Sequence, residues 1–302
     1  MDTNLTVLLA GASGVFGRHV TGTLRAAGYR VLGLGRGPAN EVRADLLDRD
    51  GLLRAVRDVR ADVVVHAATA LRKPPTSHRG MYGTDELRIA GTANLLEAAG
   101  VVGARRFVGE NIVFGYGYRD FGDRVRTEDD PFGDPDPDKG IARHVEAMRQ
   151  KEQLPLAVPG LHAVSLRYGL FYGAGATEPT AELLRRRRVP VFDDHGHVLP
   201  WVNLADAAAA VPLAIEHGRP GAAYNIADES PMGIGAMLTA TAAAFGVRPL
   251  TVPVWLLRVS PLMHRIATTS MRVSTAKARQ ELGWKPEYPT AADGLRALRR
   301  AG

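Results

Sequence analysis

Three glycines near the amino terminus have a spacing that suits the binding of phosphate groups. Gly11, Gly14 and Gly17 directly follow an apolar run and open a segment with apolar residues every four positions, which predicts a strand, a tight loop and a helix. Glycine lets the backbone turn sharply and approach a pyrophosphate, and a helix N-terminus supplies unpaired N–H groups. The segment therefore predicts a dinucleotide-binding loop. The other residues of this loop predicted to contact the dinucleotide are Ser13, Val15 and Phe16.

A basic residue follows the second predicted strand. The strand ends at Gly35, and Arg36 comes next, where proteins that prefer NAD place an acid that accepts hydrogen bonds from both ribose hydroxyls. A carboxylate would repel a 2′-phosphate, whereas a guanidinium can pair with it through two hydrogen bonds. Arg36 therefore predicts NADP(H) rather than NAD(H) as the cofactor. The alternative is that Arg36 is an ordinary charged residue of a loop.

The elements that position these residues follow from alternating apolar runs and amphipathic segments. Strands are predicted at the apolar runs 5–10, 31–34, 63–65, 106–108 and 163–166. Helices are predicted between them, at 16–24, 52–59, 84–99 and 141–154. Because each parallel strand needs a crossover connection, this order predicts an α/β fold with a doubly wound parallel sheet of the Rossmann type.

The rhythm changes after residue 170, where glycine and proline interrupt shorter segments. We expect an NADP-binding Rossmann domain over 1–170, with segments near 198–227 returning to it as strands at 201–202 and 224–227. The segments 171–197 and 228–302 are expected to form a smaller C-terminal substrate-binding lobe. Six of its side chains could line an apolar pocket or belong to its core: Phe192, Trp201, Trp255, Leu256, Leu257 and Met263.

Composition narrows the class of protein. With 45% hydrophobic and 23% charged residues the chain has the composition of an ordinary folded protein. The net charge of +6 comes from bases spread along the chain without a nucleic-acid motif, so no nucleic-acid partner is expected. No leader and no membrane-length apolar run is found, which predicts a cytoplasmic protein without a membrane partner. The absence of cysteine excludes a thiol nucleophile, and we expect no bound metal.

The chain resembles the extended short-chain dehydrogenases/reductases, the group that includes nucleotide-sugar epimerases and dehydratases. Besides the glycine loop, the resemblance rests on segments spread nearly to the carboxyl end, at 167–173, 201–206, 224–226 and 277–286. It implies a Rossmann domain that holds a nicotinamide cofactor and a smaller lobe that binds a small-molecule substrate. It also implies that Asp45 and Leu46 contact the adenine, and that Ala67 and Ala68 line the nicotinamide ribose.

The resemblance does not extend to the catalytic pair of that family. There a Tyr four residues before a Lys moves a proton, and the Lys lowers the phenol pKa and holds the ribose. No Tyr-x-x-x-Lys occurs in this sequence. Aligning the helix on Glu152, which resembles the family's Glu four residues beyond the Lys, places His144 at the Tyr position and Met148 at the Lys position.

The hydroxyl that polarises the carbonyl in such enzymes is also replaced. Counting back from Gly115 places Glu110 at that position, whereas counting from Gly117 selects Ile112. Glu110 and His144 could act as base and acid in one cleft, or could be structural residues. The alternative proton donors, in the glycine-rich loop that follows, are Tyr116 and Tyr118.

These departures leave three functions open. The first is an NADP(H)-dependent oxidoreductase of a small, non-nucleotide, apolar or aromatic carbonyl or alcohol. A nucleotide sugar is disfavoured because Leu199 stands where family members that use one carry an Arg. The second is a redox-neutral isomerase, epimerase, dehydratase or cyclase that uses Glu110 and His144, and the third is a non-catalytic NADP(H)-sensing protein. The family resemblance implies a homodimer through the helices at 84–99 and 141–154.

Overall fold

The computed structural model describes residues 5–71 and 75–301. In chain order its strands are β1 Thr6–Ala10, β2 Arg30–Gly35, β3 Val42–Arg43, β4 Val63–His66, β5 Arg106–Ile112, β6 Asp120–Arg126, β7 His162–Tyr168, β8 Leu170–Tyr172, β9 Trp201–Asn203, β10 Ala223–Ile226 and β11 Ser270–Val273. Its α-helices are α1 Val15–Ala26, α2 Arg49–Val56, α3 His78–Glu86, α4 Thr92–Val102, α5 Lys139–Leu156, α6 Thr177–Arg185, α7 Leu204–His217, α8 Ile234–Ala244, α9 Pro261–Ala267 and α10 Ala291–Ala301. Tighter or wider helical turns occur at Leu87–Gly91, Val113–Tyr116, Val254–Val259 and Ala278–Leu282.

The central sheet has seven strands in the order β10-β7-β5-β4-β1-β2-β3, and the pairs along it are parallel. The order reverses at β1, which lies between β4 and β2. In a doubly wound sheet such a reversal creates the crevice at the carboxyl ends of the strands where ligands bind. The predicted α/β class with a Rossmann sheet is confirmed.

Alternation along β1 explains why both faces of the sheet are covered. Val7 and Leu9 pack on one face with α1 and α7, while Leu8 and Ala10 pack on the other with α2 and α4. All four side chains are fully buried. A strand with two apolar faces must be covered on both sides, so helices on each face follow from its sequence.

The helix predicted at 84–99 is instead two helices, α3 and α4, joined by the π-helical turn Leu87–Gly91. At the end of this turn the Thr92 hydroxyl donates a hydrogen bond of 2.6 Å to the Arg88 carbonyl. The wider turn changes which residues of the helix face the protein interior, and it buries Arg88. The periodicity of apolar residues did not reveal this interruption.

One of the two segments predicted to return to the main sheet does so. The predicted strand at 224–227 is β10, at the sheet edge beside β7. The prediction for 201–202 was wrong, because β9 pairs with β8 in a separate two-stranded sheet. The chain leaves β7 at Gly169, and the Leu170 N–H then bonds the Pro200 carbonyl at 2.8 Å, which places β8 rather than the main sheet beside β9.

The remaining segments contain a further two-stranded sheet and several small cores. β6 pairs with β11, a contact that was not predicted. Phe192 and Trp201 are buried in two of these cores, so they pack inside the protein, while Trp255 is 59% exposed. None of the helices in the described ranges is both long and apolar enough to cross a membrane.

Candidate cofactor and active site

The glycine loop is closed by contacts that leave no room for side chains. Gly11 has a φ of +90°, and a Cβ there would lie 2.7 Å from the Ala67 carbonyl oxygen. A Cβ on Gly17 would lie 2.1 Å from the Gly11 carbonyl oxygen, so α1 can approach β1 only with glycine at that position. The close approach at Gly11 places Ala67 and Ala68 against the loop.

The first turn of α1 is ready to receive an anion. Gly14 is its N-cap, no side chain caps the helix, and the first turn contains no acid. The free N–H groups and the positive end of the helix dipole therefore lack a negative partner from this helix, and a pyrophosphate supplies one. Ser13 and Val15 are exposed beside this turn, whereas Phe16 packs against Tyr168 with ring centroids 5.2 Å apart. The loop fits the phosphates of a dinucleotide.

A second base joins Arg36 at the end of β2. A cavity of about 370 Å³ is lined by Arg36, Arg43, Ala44 and Asp45. Arg36 is exposed and its Nη1 lies 3.6 Å from Asp45 Oδ2, while Leu46 is buried. Sequence reasoning missed Arg43, which β3 places beside Gly35. The sequence pattern did not predict that β3, a strand of only two residues, pairs with β2.

One acid also lies beside β2. Glu41 Oε2 accepts a hydrogen bond of 2.7 Å from the Gly33 N–H, and its other oxygen lies 3.6 Å from Arg25. This carboxylate therefore has partners within the protein, and it was not identified from the sequence. It attaches the segment before β3 to β2.

Glu110 is held in an ion pair near the carboxyl end of β5. The Lys151 ammonium donates a hydrogen bond of 2.7 Å to Glu110 Oε2, and the Lys151 side chain is only 3% exposed. Burial lowers the pKa of Lys151, and the charge of Glu110 opposes that change. Sequence reasoning missed Lys151, which lies one helical turn beyond Met148 on α5. Met148 itself is fully buried, and its carbonyl accepts a bond from Asn111.

His144 lies in a second network, between an acid and another histidine. Its Nδ1 is 2.6 Å from Asp85 Oδ2, and its Nε2 is 3.0 Å from His78 Nδ1. His144 has no exposed surface, and both of its ring nitrogens are used. A substrate therefore cannot touch His144 directly in this arrangement. Both partners come from α3, which the sequence alone did not bring to α5.

Tyr116 lies in a third network. Its hydroxyl is 2.8 Å from Asn225 Oδ1 and accepts a bond of 2.7 Å from Arg167, which also pairs with Glu152. Burial raises the pKa of Tyr116 to about 12. The hydroxyl thus joins the turn after β5 to β7 and β10, and no hydrogen bond within the described residues connects it to Glu110 or His144.

The remaining candidates near the sheet edge are also buried. Tyr118 stacks on Phe114 at 4.5 Å, and burial raises its pKa. His66, at the end of β4, is fully buried, and this burial holds its pKa well below the usual range. His66 Nδ1 accepts a bond from the Ala68 N–H, which fits an uncharged ring. These groups are poor proton carriers near neutral pH.

An open cavity of about 370 Å³ lies beside the histidine network, where α3, α5 and α9 meet. Its apolar lining is Ile141 and Pro261, and its polar lining is His78, Asp138, Arg258, His264 and Arg265. The aromatic and aliphatic residues that the sequence suggested for a pocket do not line it. Within residues 5–71 and 75–301, no group of three or more His, Asp or Glu side chains is arranged to hold a metal ion.

Known proteins are similar to this chain in sequence. The sequence profile of the NAD dependent epimerase/dehydratase family matches residues 7–227. A 3-diazoavenalumate denitrifying reductase from a Streptomyces species is 35% identical, and the match covers 96% of this chain and 99% of that protein.

Solved structures share the fold over nearly the whole chain. The UDP-glucose 4-epimerase of Thermus thermophilus in complex with NAD is 25% identical, with a TM-score of 0.77 and 98% of each chain covered. A human epimerase family protein with NADPH is 19% identical, with a TM-score of 0.80 over 98% of this chain and 99% of that chain.

Proposed function

Since the chain belongs to the NAD dependent epimerase/dehydratase family, we propose that it is an NADP(H)-dependent reductase of a small, non-nucleotide metabolite. The observation that carries this proposal is the 35% identity, over 96% of the chain, with a protein named as a reductase. The uncapped glycine loop and the pair Arg36 and Arg43 support a phosphorylated dinucleotide as the cofactor.

The hydride acceptor of this reductase is one whose reduction needs no protein proton donor. NADPH, when bound, supplies a hydride. Reduction of a carbonyl to an alcohol consumes that hydride and one proton. The residue that we align with the usual tyrosine is His144, which is fully buried. Met148, which we align with the usual lysine, is also buried, and its thioether has no proton to transfer.

An arene diazonium group meets this requirement, and the name of the Streptomyces relative describes a diazo substrate that loses nitrogen. The hydride forms a C–H bond, the C–N bond breaks, and its electron pair leaves with dinitrogen. NADPH and the diazonium ion thus yield the arene, dinitrogen and NADP⁺, with no proton taken up. We therefore propose an aromatic diazo compound as the substrate.

In this reaction the protein's side chains would exclude water and keep the site electrically neutral, and they would not transfer protons. Met148 and Tyr118 belong to one buried apolar cluster that includes residues of α5. A substrate bound against this cluster would be shielded from water that competes with hydride for the diazonium carbon. The closed Glu110–Lys151 pair adds no net charge to this region. These features support a dry site for hydride transfer.

The test is a single-turnover reaction with NADPH that carries deuterium at its nicotinamide C4. A carboxy-substituted benzenediazonium ion and the matching benzaldehyde serve as substrates, and reactions without protein measure spontaneous reduction. We expect deuterium on the ring carbon that carried nitrogen, and one dinitrogen released per NADPH oxidised. Faster reduction of the aldehyde would contradict the diazo assignment, and turnover without NADPH consumption would contradict a reductase.

A further inference from the structure

The cavity between α3, α5 and α9 contains polar groups without partners. Arg258 has no hydrogen bond or ion pair within the described part of the chain, and neither does the ring of His264. His78 uses Nδ1 toward His144, while its Nε2 is 4.0 Å from Asp138 Oδ1, beyond hydrogen-bond distance. The cavity is therefore lined by three potential donor groups that have no acceptor from the described residues: the Arg258 guanidinium, the His264 ring and His78 Nε2.

The acids near the cavity are already occupied. Asp138 caps α5 by accepting a 2.9 Å bond from the Ile141 N–H, and this bond lowers its pKa. Asp136 accepts a 2.8 Å bond from Arg265. Arg258 is thus the guanidinium of the cavity that no described acid neutralises. A ligand with a single negative charge would balance it.

The walls of the cavity are fastened to each other. The Ser260 hydroxyl, at the start of α9, donates a 2.5 Å hydrogen bond to the Thr76 carbonyl before α3. Arg265 of α9 reaches Asp136 in the segment before α5. These bonds join α9, which carries His264, to the segments before α3 and α5. His264 and His78 therefore lie on elements that are held together before a ligand arrives, whereas Arg258 is exposed.

We infer that this cavity binds the carboxylate of the substrate, with Arg258, His264 and His78 as the groups that recognise it. The inference rests on the proposed reductase for its substrate, because it adds an anionic group to the molecule that NADPH reduces. A carboxylate suits the site better than a phosphate dianion, since the cavity has one unpaired guanidinium and Asp138 would repel a second charge. Ile141 and Pro261 give the carbon skeleton an apolar surface.

The histidine network determines how His78 takes part. If both rings are neutral, Asp85 accepts from His144 Nδ1, His144 Nε2 accepts from His78 Nδ1, and His78 Nε2 is left with a lone pair. If His144 is instead protonated, it donates from both ring nitrogens, to Asp85 and to His78. The proton of a neutral His78 then lies on Nε2, where a carboxylate can accept it. The other ionisable groups that surround His78 are His144, Asp85, Asp138, His264, Arg258 and Arg265.

The experiment is calorimetric titration of the intact protein with 4-hydroxycinnamate and with its neutral amide. We expect the carboxylate to bind about tenfold more tightly than the amide, because a hydrogen bond to an ionised group is stronger than one between neutral groups. Arg258→Gln should remove this preference. Arg248→Gln, which removes an exposed charge outside the cavity, should keep it.

Two further measurements make the inference falsifiable. Titration of His78→Gln with 4-hydroxycinnamate should show weaker binding than the wild-type protein, because one of the three recognising groups is removed. Inorganic phosphate should compete weakly, and stronger competition by phosphate than by benzoate would overturn the carboxylate assignment. Equal loss of binding in Arg248→Gln and Arg258→Gln would also overturn it.

The inference and the proposed function fail separately. NADPH binding is measured in parallel with the same variants, since the glycine loop is distant in sequence from Arg258. Carboxylate recognition without NADPH binding would contradict the reductase and uphold the anion site. Binding of NADPH with no dependence of carboxylate affinity on Arg258 would overturn the anion site and leave the reductase standing.

Discussion

At the scale of single residues, variants of the Glu110–Lys151 pair test whether Glu110 has a structural role. Glu110→Gln leaves a buried ammonium without its partner, and breaking such a pair costs about 3–5 kcal/mol of unfolding free energy. Adding Lys151→Met to Glu110→Gln should recover most of that loss, because an apolar side chain needs no partner. Urea unfolding of the single and double variants measures this. Losses that simply add would show that the pair does not couple.

The cofactor preference depends on two arginines. Arg36→Ala and Arg43→Ala should each weaken NADPH binding about tenfold and leave NADH binding nearly unchanged, because a hydrogen-bonded charge on a 2′-phosphate is lost. Arg57→Ala, which removes an exposed arginine paired with Asp58, is the control. Fluorescence titration with both nucleotides measures the ratio. An unchanged ratio in both variants would contradict the NADP(H) assignment.

Asp228 predicts a pH dependence of stability. Burial raises the pKa of Asp228 from 3.8 to about 7. The folded state therefore holds this proton more tightly than the unfolded state. The contribution of Asp228 to the unfolding free energy is fully present below the unfolded pKa and is lost as pH rises through the folded pKa.

Comparison with Asp228→Asn isolates this effect. Between about pH 5 and about pH 8, the wild-type protein should lose about 3 kcal/mol of unfolding free energy relative to the variant. Urea unfolding at several pH values gives the difference. Parallel curves for the two proteins would show that Asp228 titrates normally in the folded state.

The sequence identified single residues better than it identified their partners. The glycine loop, Arg36 and Glu110 were named because spacing or alignment marks them. Lys151 and His78 were missed, since their roles depend on which helix lies beside which. A lysine near the middle of a helix is usually solvated, and only the tertiary structure shows that this one is buried.

At the scale of elements, two glycines of α1 make a matched pair. Gly17→Ala should abolish NADPH binding, because its Cβ would lie 2.1 Å from the Gly11 carbonyl oxygen. Gly22→Ala meets nothing within 4 Å and should raise the unfolding free energy by about 0.5–1 kcal/mol, since alanine favours a helix. Thermal unfolding with and without NADPH tests both. Normal NADPH binding by Gly17→Ala would contradict the assigned loop.

Elements with a strong apolar pattern were predicted, and elements without one were not. β1 and β4 each contain a run of buried branched residues, Val7–Leu9 and Val63–Val65, so their place in a parallel sheet could be predicted. β6 has an exposed, charged sequence, Asp120–Arg126, and β11 is four residues long. Such strands are defined by their pairing across the chain, which no local pattern contains.

At the scale of the whole molecule, the homodimer remains a prediction. The outward side of α4 exposes Val101, which is 42% accessible. If two copies meet through α4 and α5, Val101→Glu should shift the protein from dimer to monomer in sedimentation equilibrium. Leu250→Glu, at a similarly exposed position of 44%, should leave the equilibrium unchanged. A wild-type monomer at micromolar concentration would contradict the prediction.

The pairing of β6 with β11 has a consequence for the order in which the protein folds. Val125 of β6 lies opposite Arg272 of β11. On a ribosome that adds about 5–20 residues per second, roughly 150 further residues take on the order of ten to thirty seconds to emerge. Throughout that interval β6 has no strand to join. The two-stranded sheet of β6 and β11 is therefore completed only after β1, α1 and β2, which carry the glycine loop, have had time to form.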